Sequence, residues 1–266
     1  RWRSLRAHPL LNPTGLAEML REARGGHPVD PDDRPHLEEA VAWFARAQDA
    51  TPDDGIARGY SVLYVPYFGS QGWQPSYPET TGYIIPTLLE AAHHLGRPEL
   101  TVRALRAAQW EIDVQLESGA VKGGVIGEGR TPAIFNTGQV LFGWIAAFES
   151  TGDGRYADAA RRAGAWLASV VGPDGRWQSG ESDFARKDAT LYNARASWGL
   201  AEAGVALNEP AFRDAAARNL RFVTRTQIAN GWFPQCCLSD PEFPLLHTLS
   251  YTVRGLLEGG RVLQDR

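Results

Sequence analysis

Polar and aromatic residues recur at the starts of four apolar segments that lie 56 residues apart. Glu79 opens the first segment and His247 holds the same place in the fourth, because 247 − 79 = 168 = 3 × 56. A carboxylate, an imidazole, phenols and a guanidinium gathered at one place could carry out acid–base chemistry on a bound molecule. The candidates at the four starts are Glu79, Thr80, Thr81 and Tyr83; Asn136, Thr137 and Gln139; Tyr192, Asn193 and Arg195; and His247, Thr248 and Tyr251.

Hydrolysis of a glycosidic bond is one chemistry that this set predicts. It uses two carboxyl groups, roughly 5 to 9 Å apart in most such enzymes. Glu79, at a segment start, is the first candidate, and Asp188, just before the third segment, is the second. Other carboxylates in the loops remain open as partners, namely Glu128, Glu181 and Asp183.

Proton abstraction beside a carboxylate, as in a lyase or a sugar epimerase, is the other chemistry. It needs a base and an acid instead of two carboxylates. His247 with Tyr192 or Tyr251 could fill these roles, and Arg195 could hold the substrate carboxylate. The residues alone leave hydrolysis and proton abstraction both open.

A saccharide, and an anionic one, is the ligand that this surface predicts. Several helix N-termini at one mouth give a positive potential, to which Arg195 adds a full charge. Aromatic side chains suit the C–H faces of sugar rings. The predicted substrate contacts are Trp73, Tyr77, Tyr83, Asn136, Gln139, Asn193, Arg195, Trp232 and Tyr251. Two plainer interpretations stay open: Asn136 and Asn193 as helix caps, and Trp232 as loop packing.

The elements that must position these residues follow from the same period. Gly82 recurs as Gly138, Ala194 and Ser250, and a second track of Trp110, Trp166 and Phe222 keeps the same spacing of 56. A fixed period on two tracks indicates an array of one supersecondary unit. Small residues at these steps, including Gly143, Gly199 and Gly255, allow close contact between helices.

Two sets of helices alternate along the array. Helices of the first set carry small and apolar side chains on nearly all sides, so these helices should be buried. Helices of the second set are amphipathic and rich in arginine, which is typical of helices with one face in solvent. The predicted first set covers 79–95, 135–150, 190–206 and 247–263, and the second 98–117, 154–171 and 209–228. This alternation predicts an all-α fold, an α/α toroid of about four helical hairpins in residues 36–266, after an N-terminal extension in residues 1–35. Six hairpins would need 6 × 56 = 336 residues, so 266 residues predict a small ring or an open arc.

The composition excludes several functional classes. The net charge of −4 differs from the positive charge that is typical of nucleic-acid-binding proteins. No apolar segment approaches the roughly 20 residues that a membrane-spanning helix needs. Cys236 and Cys237 are adjacent and predict free thiols, with no zinc site, no other metal site and no cofactor motif. Cytoplasmic location is therefore expected. Because the sequence begins at Arg1 and not at Met, we expect its first residues to have been trimmed. Oligomeric state is not predicted.

The repeat pattern over residues 36–263 resembles the α/α-toroid superfamily. This superfamily includes six-hairpin glycosidases, N-acylglucosamine 2-epimerase and the helical domain of glucuronyl C5-epimerases. The segments 77–83 (Tyr-Pro-Glu-Thr-Thr-Gly-Tyr) and 135–141 (Phe-Asn-Thr-Gly-Gln-Val-Leu) are similar to segments of bacterial toroid proteins from polysaccharide gene clusters. Terpene cyclases share the fold, and 227–232 is similar to their Gln–Gly–Trp repeats, but their aspartate-rich motifs are absent from this sequence.

The resemblance implies action on a poly- or oligosaccharide. Hydrolysis or lyase-type cleavage is the first expectation and epimerisation of a uronyl sugar the second. The alternative from another class is a glycan-binding or assembly module without catalysis. The predicted catalytic residues are Glu79, His247, Tyr192 and Asp188.

Overall fold

The computed structural model describes residues 13–25, 32–66, 69–127, 129, 131–180, 185–186, 190–238, 240 and 245–265. The chain divides into two compact units, Arg1–Tyr77 and Pro78–Arg266. The predicted boundary near residue 36 stays a prediction. Within the described residues, no helix combines the length and the apolar character that crossing a membrane requires.

The first unit contains two helices and a small antiparallel hairpin. Its elements are α1 (Pro13–Ala23), α2 (Asp33–Asp49), β1 (Tyr60–Val65) and β2 (Ser70–Trp73). Asp32 caps α2, since its side chain accepts a hydrogen bond from the backbone nitrogen of Arg34. The hairpin lies in the aromatic, glycine-rich connection between α2 and residue 77. Its Tyr60 and Trp73 are paired across the two strands.

The second unit consists of the predicted alternating helices. In chain order they are α3 (Pro78–Leu95), α4 (Pro98–Asp113), α5 (Ile134–Thr151), α6 (Gly154–Val170), α7 (Ala194–Ala206), α8 (Pro210–Arg225) and α9 (Leu246–Leu263). A single 3-10 turn, Leu191–Asn193, precedes α7. We call α3, α5, α7 and α9 the inner helices and α4, α6 and α8 the outer helices. Each inner helix packs on the next one along the chain, and each outer helix packs on its inner neighbours. The predicted α/α-toroid architecture is confirmed.

Glycine, asparagine and proline set the turns between paired helices. Gly96, Gly152 and Asn208 adopt positive φ at the ends of α3, α5 and α7, a conformation that closes helices well. Pro98 and Pro210 then begin α4 and α8, where the missing N–H group costs nothing. These residues explain why the hairpins could be located from the sequence.

Inner helices touch backbone to backbone at the small residues of the period. A Cβ atom on Gly82 would lie 2.6 Å from Cα of Val140, and one on Gly138 would overlap Ala196. The separation is 58 residues in both cases (140 − 82 and 196 − 138). Pro86 has no N–H to bond the Gly82 carbonyl within α3, and that carbonyl lies against α5. A second set of close contacts repeats at a separation of 61 residues. A Cβ atom on Gly143, Gly199 or Gly255 would overlap the backbone of Gly82, Gly138 or Ala194, respectively.

Candidate functional site

A cavity of about 670 Å³ lies among the inner helices of the second unit. This volume is within the range of small-molecule binding sites. All four inner helices contribute to its wall. The lining residues are Tyr83, Pro86, Thr87, Glu90, Phe142, Ile145, Ala146, Glu149, Arg195, Trp198, Glu202, Tyr251 and Arg254. Three of the predicted substrate contacts, Tyr83, Arg195 and Tyr251, are among them.

The parallel course of α5 and α7 brings polar and aromatic residues into matching levels of the wall. At the first level, Arg195 Nε donates a hydrogen bond of 2.7 Å to Gln139 Oε1. One turn further along both helices, the rings of Phe142 and Trp198 lie 4.5 Å apart. The cavity therefore has a hydrogen-bonding level followed by an aromatic level.

Arg195 is a cation held between aromatic rings. Its guanidinium carbon lies 5.2 Å from the ring centres of both Trp198 and Tyr251, and 5.7 Å from that of Phe142. Burial, and then the charge of Arg254, lowers the pKa of Arg195, but a guanidinium stays charged at neutral pH. Within the described part of the chain, its two terminal nitrogens have no hydrogen-bond partner. Arg195 is therefore available to bind an anion.

Two phenols and a carboxylate lie near this cation. Burial raises the pKa of Tyr83 and of Tyr251, and the charge of Glu79 adds to the effect on both. Both tyrosines are therefore protonated at neutral pH and can donate hydrogen bonds. Glu79, half-buried in the first turn of α3, also acts electrostatically on Arg195. The 56-residue period predicted that Glu79, Tyr83, Arg195 and Tyr251 lie near one another, and the structure places them together.

Three buried amides at the starts of α5 and α7 have polar atoms that find no hydrogen-bond partner among the described residues. The atoms are Asn136 Nδ2, Gln139 Nε2 and Asn193 Oδ1. Asn193 precedes α7 but makes no side-chain cap bond, and Ala133, not Asn136, is the N-cap of α5. The cap interpretation is therefore wrong for Asn136, whereas Asn193 holds the N-cap position of α7 without making the cap hydrogen bond. A buried polar atom without a partner costs about 1–3 kcal/mol, so water or a ligand is expected at these atoms.

His247 and Tyr192 are connected to the cavity residue Tyr251 by contacts between rings. The exposed His247 ring lies 5.8 Å from the Tyr251 ring in an edge-on arrangement. Tyr192 is buried and packs 5.3 Å from Phe135, which in turn lies 5.1 Å from Tyr251. Tyr192 is thus beneath the aromatic wall, while His247 is at its surface.

The remaining predicted residues are not brought to the cavity wall of the second unit. Trp232 is 38% exposed in the loop after α8 and does not line the cavity. Trp73 belongs to the first unit, where its ring lies 4.9 Å from that of Trp43. Tyr77 is buried there under the guanidinium of Arg58, so contact of either residue with a ligand stays a prediction. The carboxylates Asp188, Glu128, Glu181 and Asp183 lie outside the described residues.

Three carboxylates at the far level of the cavity were missed by the sequence reasoning: Glu90, Glu149 and Glu202. Glu202 Oε1 accepts a hydrogen bond of 2.9 Å from Trp198 Nε1. Burial, and then the charge of Glu202, raises the pKa of Glu149. The sequence does carry a signal for two of them, since Glu90 and Glu202 are two periods apart (202 − 90 = 112 = 2 × 56), but they lie beyond the first helical turns, where the candidate residues were predicted. Among the described residues, no cluster of His, Cys, Asp and Glu could hold a metal ion.

Comparisons with known proteins identify the fold. No protein-family model matches the chain, and no curated protein matches it significantly. The structure of an unsaturated glucuronyl hydrolase specific for heparin superposes with a TM-score of 0.66 and 16% identity, over 88% of this chain and 64% of that one. The Lin0763 protein from Listeria innocua gives a TM-score of 0.61 and 15% identity, over 96% of this chain and 71% of the other.

The chain shares the α/α-toroid fold of these two proteins. At 16% and 15% identity the likeness establishes the fold alone. The chain spans less than two thirds of the length of the glucuronyl hydrolase. The chemistry of the toroid must therefore be argued from the cavity itself.

Proposed function

We propose that the chain binds an acidic saccharide in the cavity of the second unit and cleaves it by hydrolysis, as a carbohydrate-active enzyme. The observation that carries this proposal is the pair Arg195–Gln139. Gln139 Oε1 takes the Nε hydrogen of Arg195, which leaves the two terminal nitrogens of this cavity-lining residue as a fork of donors without partners among the described residues. A planar carboxylate is the acceptor that such a fork of donors binds best.

The rest of the wall suits a sugar ring. Trp198 and Phe142 offer aromatic surface beside the cation, and the protonated phenols of Tyr83 and Tyr251 can donate to hydroxyl groups. Pockets for small ligands commonly combine apolar and aromatic surface with a few convergent polar groups. The glucuronyl hydrolase of the same fold acts, by its name, on a glucuronyl group, which agrees with a carboxylate-binding cavity here.

Two carboxyl groups in different environments support hydrolysis. Partial burial, and then the charge of Glu202, raises the pKa of Glu149, and Glu202 is oriented by a hydrogen bond from Trp198. Glycoside hydrolysis generally uses two carboxyl groups, one as an acid and the other as a base or nucleophile. Glu149 would give its proton to the leaving glycosidic oxygen, while Glu202 would take a proton from the attacking water as the C–O bond breaks.

Glu79 is the competing carboxylate for the same reaction. It lies at the opposite level of the cavity, near Arg195 and the two phenols. With the substrate carboxylate on Arg195, Glu79 would be next to the anion and Glu149 would be further along the ligand. Glu79→Gln and Glu149→Gln therefore distinguish which end of the cavity holds the scissile bond.

Proton abstraction remains a second candidate, because His247 lies against Tyr251. The phenol is protonated and could serve as the acid, the exposed imidazole could serve as the base, and Arg195 lies 5.2 Å from the same ring. This route predicts an unsaturated or epimerised uronyl product, with a solvent hydrogen at the abstracted carbon in the latter case. Product analysis in deuterated water separates it from hydrolysis.

Calorimetric titration of matched acidic and neutral oligosaccharides tests the binding proposal. We expect the wild type to prefer the acidic ligand and Arg195→Gln to bind it about 10- to 100-fold more weakly, the loss of a charged hydrogen bond worth about 1.5–3 kcal/mol. Arg218→Gln, an exposed arginine of α8, is the control and should bind like the wild type. Equal affinity for both ligands would refute the acidic-saccharide proposal. Retained binding with no turnover under any condition would favour a glycan-binding module.

A further inference from the structure

Three buried amide groups of the inner helices α5 and α7 do not take part in the cavity wall. Asn136, Gln139 and Asn193 are 2%, 0% and 1% exposed and are not among the lining residues. Within the described ranges of the chain, no hydrogen-bond partner exists for Asn136 Nδ2, Gln139 Nε2 or Asn193 Oδ1. Buried polar atoms without partners point to an occupant that these residues do not supply.

Contacts on both sides of the amides bring the two helix starts together. The rings of Phe135 and Tyr192, which lie just before the two asparagines, are 5.3 Å apart. One turn further along, Gln139 Oε1 accepts the 2.7 Å hydrogen bond from Arg195 Nε. Gln139 follows the asparagine of α5 by three residues, so both side chains lie on the same side of that helix. The three amides therefore lie between two contacts that join α5 to α7.

The contact with Arg195 fixes the direction of the Gln139 amide from one side. Arg195 Nε can only donate a hydrogen bond, so the amide atom that faces it must be Oε1, and Nε2 must point away. Nε2 is buried and finds no acceptor in the part of the chain that the structure describes. A group that accepts a hydrogen bond from Nε2 would fix the amide from the other side as well.

The corresponding positions of other inner helices show that the array itself needs no unpartnered group there. Thr137, one period before Asn193 (193 − 137 = 56), donates to a backbone carbonyl at 2.7 Å and accepts from a backbone N–H group at 2.9 Å. Thr248, two periods after Asn136 (248 − 136 = 112 = 2 × 56), donates to a backbone carbonyl at 2.8 Å. Helix packing therefore does not explain the unpartnered amides of α5 and α7.

We propose that Asn136, Gln139 and Asn193 form a binding site for one hydroxyl group, which we call the amide site, and that this group orients Gln139 and through it Arg195. Two amide nitrogens offer hydrogens and one amide oxygen offers a lone pair. A hydroxyl oxygen accepts two hydrogen bonds and donates one, so a single hydroxyl matches all three atoms. A carboxylate could not donate to Asn193 Oδ1, and the N–H groups would repel a cation.

Two sources of the hydroxyl group are compatible with this chemistry. One is a resident water, since buried waters typically make about three hydrogen bonds to polar groups that otherwise have no partner. The other is a hydroxyl of a bound sugar, and this source rests on the proposed saccharide function. In both cases Asn136 and Asn193 are positioning residues, because they hold the partner of Gln139 and act on Arg195 only through it.

Crystal structures of the full chain, without ligand and soaked with D-glucuronate, test the amide site. In the ligand-free protein we expect one oxygen atom within about 3.2 Å of all three amide atoms. A water that stays after soaking identifies a resident water, whereas a sugar oxygen in its place identifies a ligand hydroxyl. Absence of any such oxygen from both crystals, or amides that bond one another directly, would overturn the proposal.

The Nε–H group of Arg195 gives a spectroscopic readout of the positioning role. Its NMR signal is identified by its absence from Arg195→Gln. In Asn193→Leu, and likewise in Asn136→Leu, we expect its hydrogen to exchange with water at least about tenfold faster than in the wild type, because Gln139 is no longer held from both sides. Unchanged exchange in both leucine variants would show that the amide site does not orient Arg195.

Asn219→Leu is the matched control for loss of a buried asparagine. Asn219 accepts a hydrogen bond from Ser197 at 2.6 Å and donates one to the Gly175 carbonyl at 2.7 Å. We expect this variant to be less stable than the wild type in urea but to keep the slow exchange of the Arg195 signal. Urea unfolding also checks that the other two leucine variants fold.

Calorimetry separates this inference from the proposed function. D-Glucuronate and D-glucose differ only in the carboxylate, and we expect Asn193→Leu to bind glucuronate about 3- to 10-fold more weakly than the wild type, the effect of losing about one hydrogen bond. Unchanged affinity of this variant, in a protein whose wild type prefers glucuronate, would contradict the positioning role. Equal affinity of the wild type for both sugars would refute the acidic-saccharide function alone, and the oxygen atom and the Arg195 signal would still decide the amide site.

Discussion

Gln139 determines which atoms of Arg195 remain available to a ligand. Its Oε1 accepts a hydrogen bond of 2.7 Å from Arg195 Nε, so the guanidinium presents its outer edge. The Gln139 amide nitrogen is itself buried and has no partner among the described residues. The two residues are one period apart (195 − 139 = 56), which is why the sequence could predict their proximity. It could not predict that one would orient the other, because that depends on the rotation of α5 against α7.

Glu149 shows where prediction at the level of single residues stops. It is out of step with the other cavity carboxylates, because one period earlier and later the chain has His93 and Val205. In the sequence it resembles an ordinary charged residue near the end of a helix. Its raised pKa follows from burial and from Glu202, two properties of the packed array and not of the local sequence.

Glu111 predicts a pH dependence of stability that is separate from the cavity. It is completely buried on α4, neither carboxylate oxygen has a hydrogen-bond partner in the described part of the chain, and burial raises its pKa well above the ordinary value. The folded chain thus keeps a proton that the unfolded chain loses near pH 4.3. The free energy of unfolding should therefore fall as pH rises above this value, by about 1.4 kcal/mol for each pKa unit of the shift that is crossed.

Urea unfolding of Glu111→Gln between pH 4 and pH 8 checks this sign. The neutral amide removes the titration, so we expect the variant to match the wild type near pH 4 and to become increasingly more stable than it toward pH 8. Glu117→Gln, an exposed carboxylate just after α4, should follow the wild type throughout. A constant difference between Glu111→Gln and the wild type at every pH would show that Glu111 is not protonated in the folded chain.

Glycine contacts between inner helices give a prediction for the helical elements. Gly138 has no room for a side chain, because a Cβ atom there would overlap the backbone of Ala196. Gly138→Ala should lower the free energy of unfolding by about 1–3 kcal/mol or more, the usual cost of overpacking. Gly154→Ala is the control, since Gly154 begins α6 with nothing within 4 Å of its Cβ position and alanine favours helix. Equal destabilisation of both variants in urea would contradict the close-contact explanation.

The inner helices and α6 end within one residue of the predicted positions, although α7 begins at Ala194 and not at 190. The outer helices α4 and α8 were predicted well at their starts and less well at their ends. Pro98 and Pro210 begin α4 and α8 where expected, because proline restricts the backbone locally. The predicted ends at 117 and 228 overshoot the observed ends at 113 and 225. Residue Gln115 explains the first difference, because its side chain leaves the helical pattern to bond the carbonyls of Gly119 and Ala159. Such tertiary bonds override a periodic pattern that continues past the true end.

On the scale of the whole molecule, all the lining residues that the structure describes belong to the second unit. They lie between Tyr83 and Arg254, inside the unit Pro78–Arg266. We therefore expect residues 78–266 alone to fold cooperatively and to retain the preference for an acidic over a neutral saccharide. Circular dichroism during thermal unfolding, and calorimetry with the same ligand pair, measure these two properties.

The fragment also tests the predicted contributions of Trp73 and Tyr77. Both belong to the first unit, so a ligand contact from either would make the fragment bind more weakly than the full chain. Arg195→Gln in the fragment should abolish whatever preference remains. A fragment that folds but binds acidic and neutral ligands equally would place the determinant of selectivity outside the second unit.

The net charge of the chain does not predict the charged residues of this cavity. The chain carries a net charge of −4, yet the wall combines two arginines with three glutamates at different levels. The fold class followed from the period because a repeated sequence must repeat its packing. The local charge distribution did not follow, since it depends on which side of each inner helix meets its neighbour.

The constant separations of 58 and 61 residues between touching positions have an evolutionary consequence. Gene duplication or loss of one whole 56-residue unit would carry every such contact with it, whereas removal of half a unit would join an inner helix to the wrong partner. Ancestors and descendants of this protein can thus differ in the number of hairpins while keeping the same contacts between inner helices. The width of the cavity that these helices enclose would then change in discrete steps.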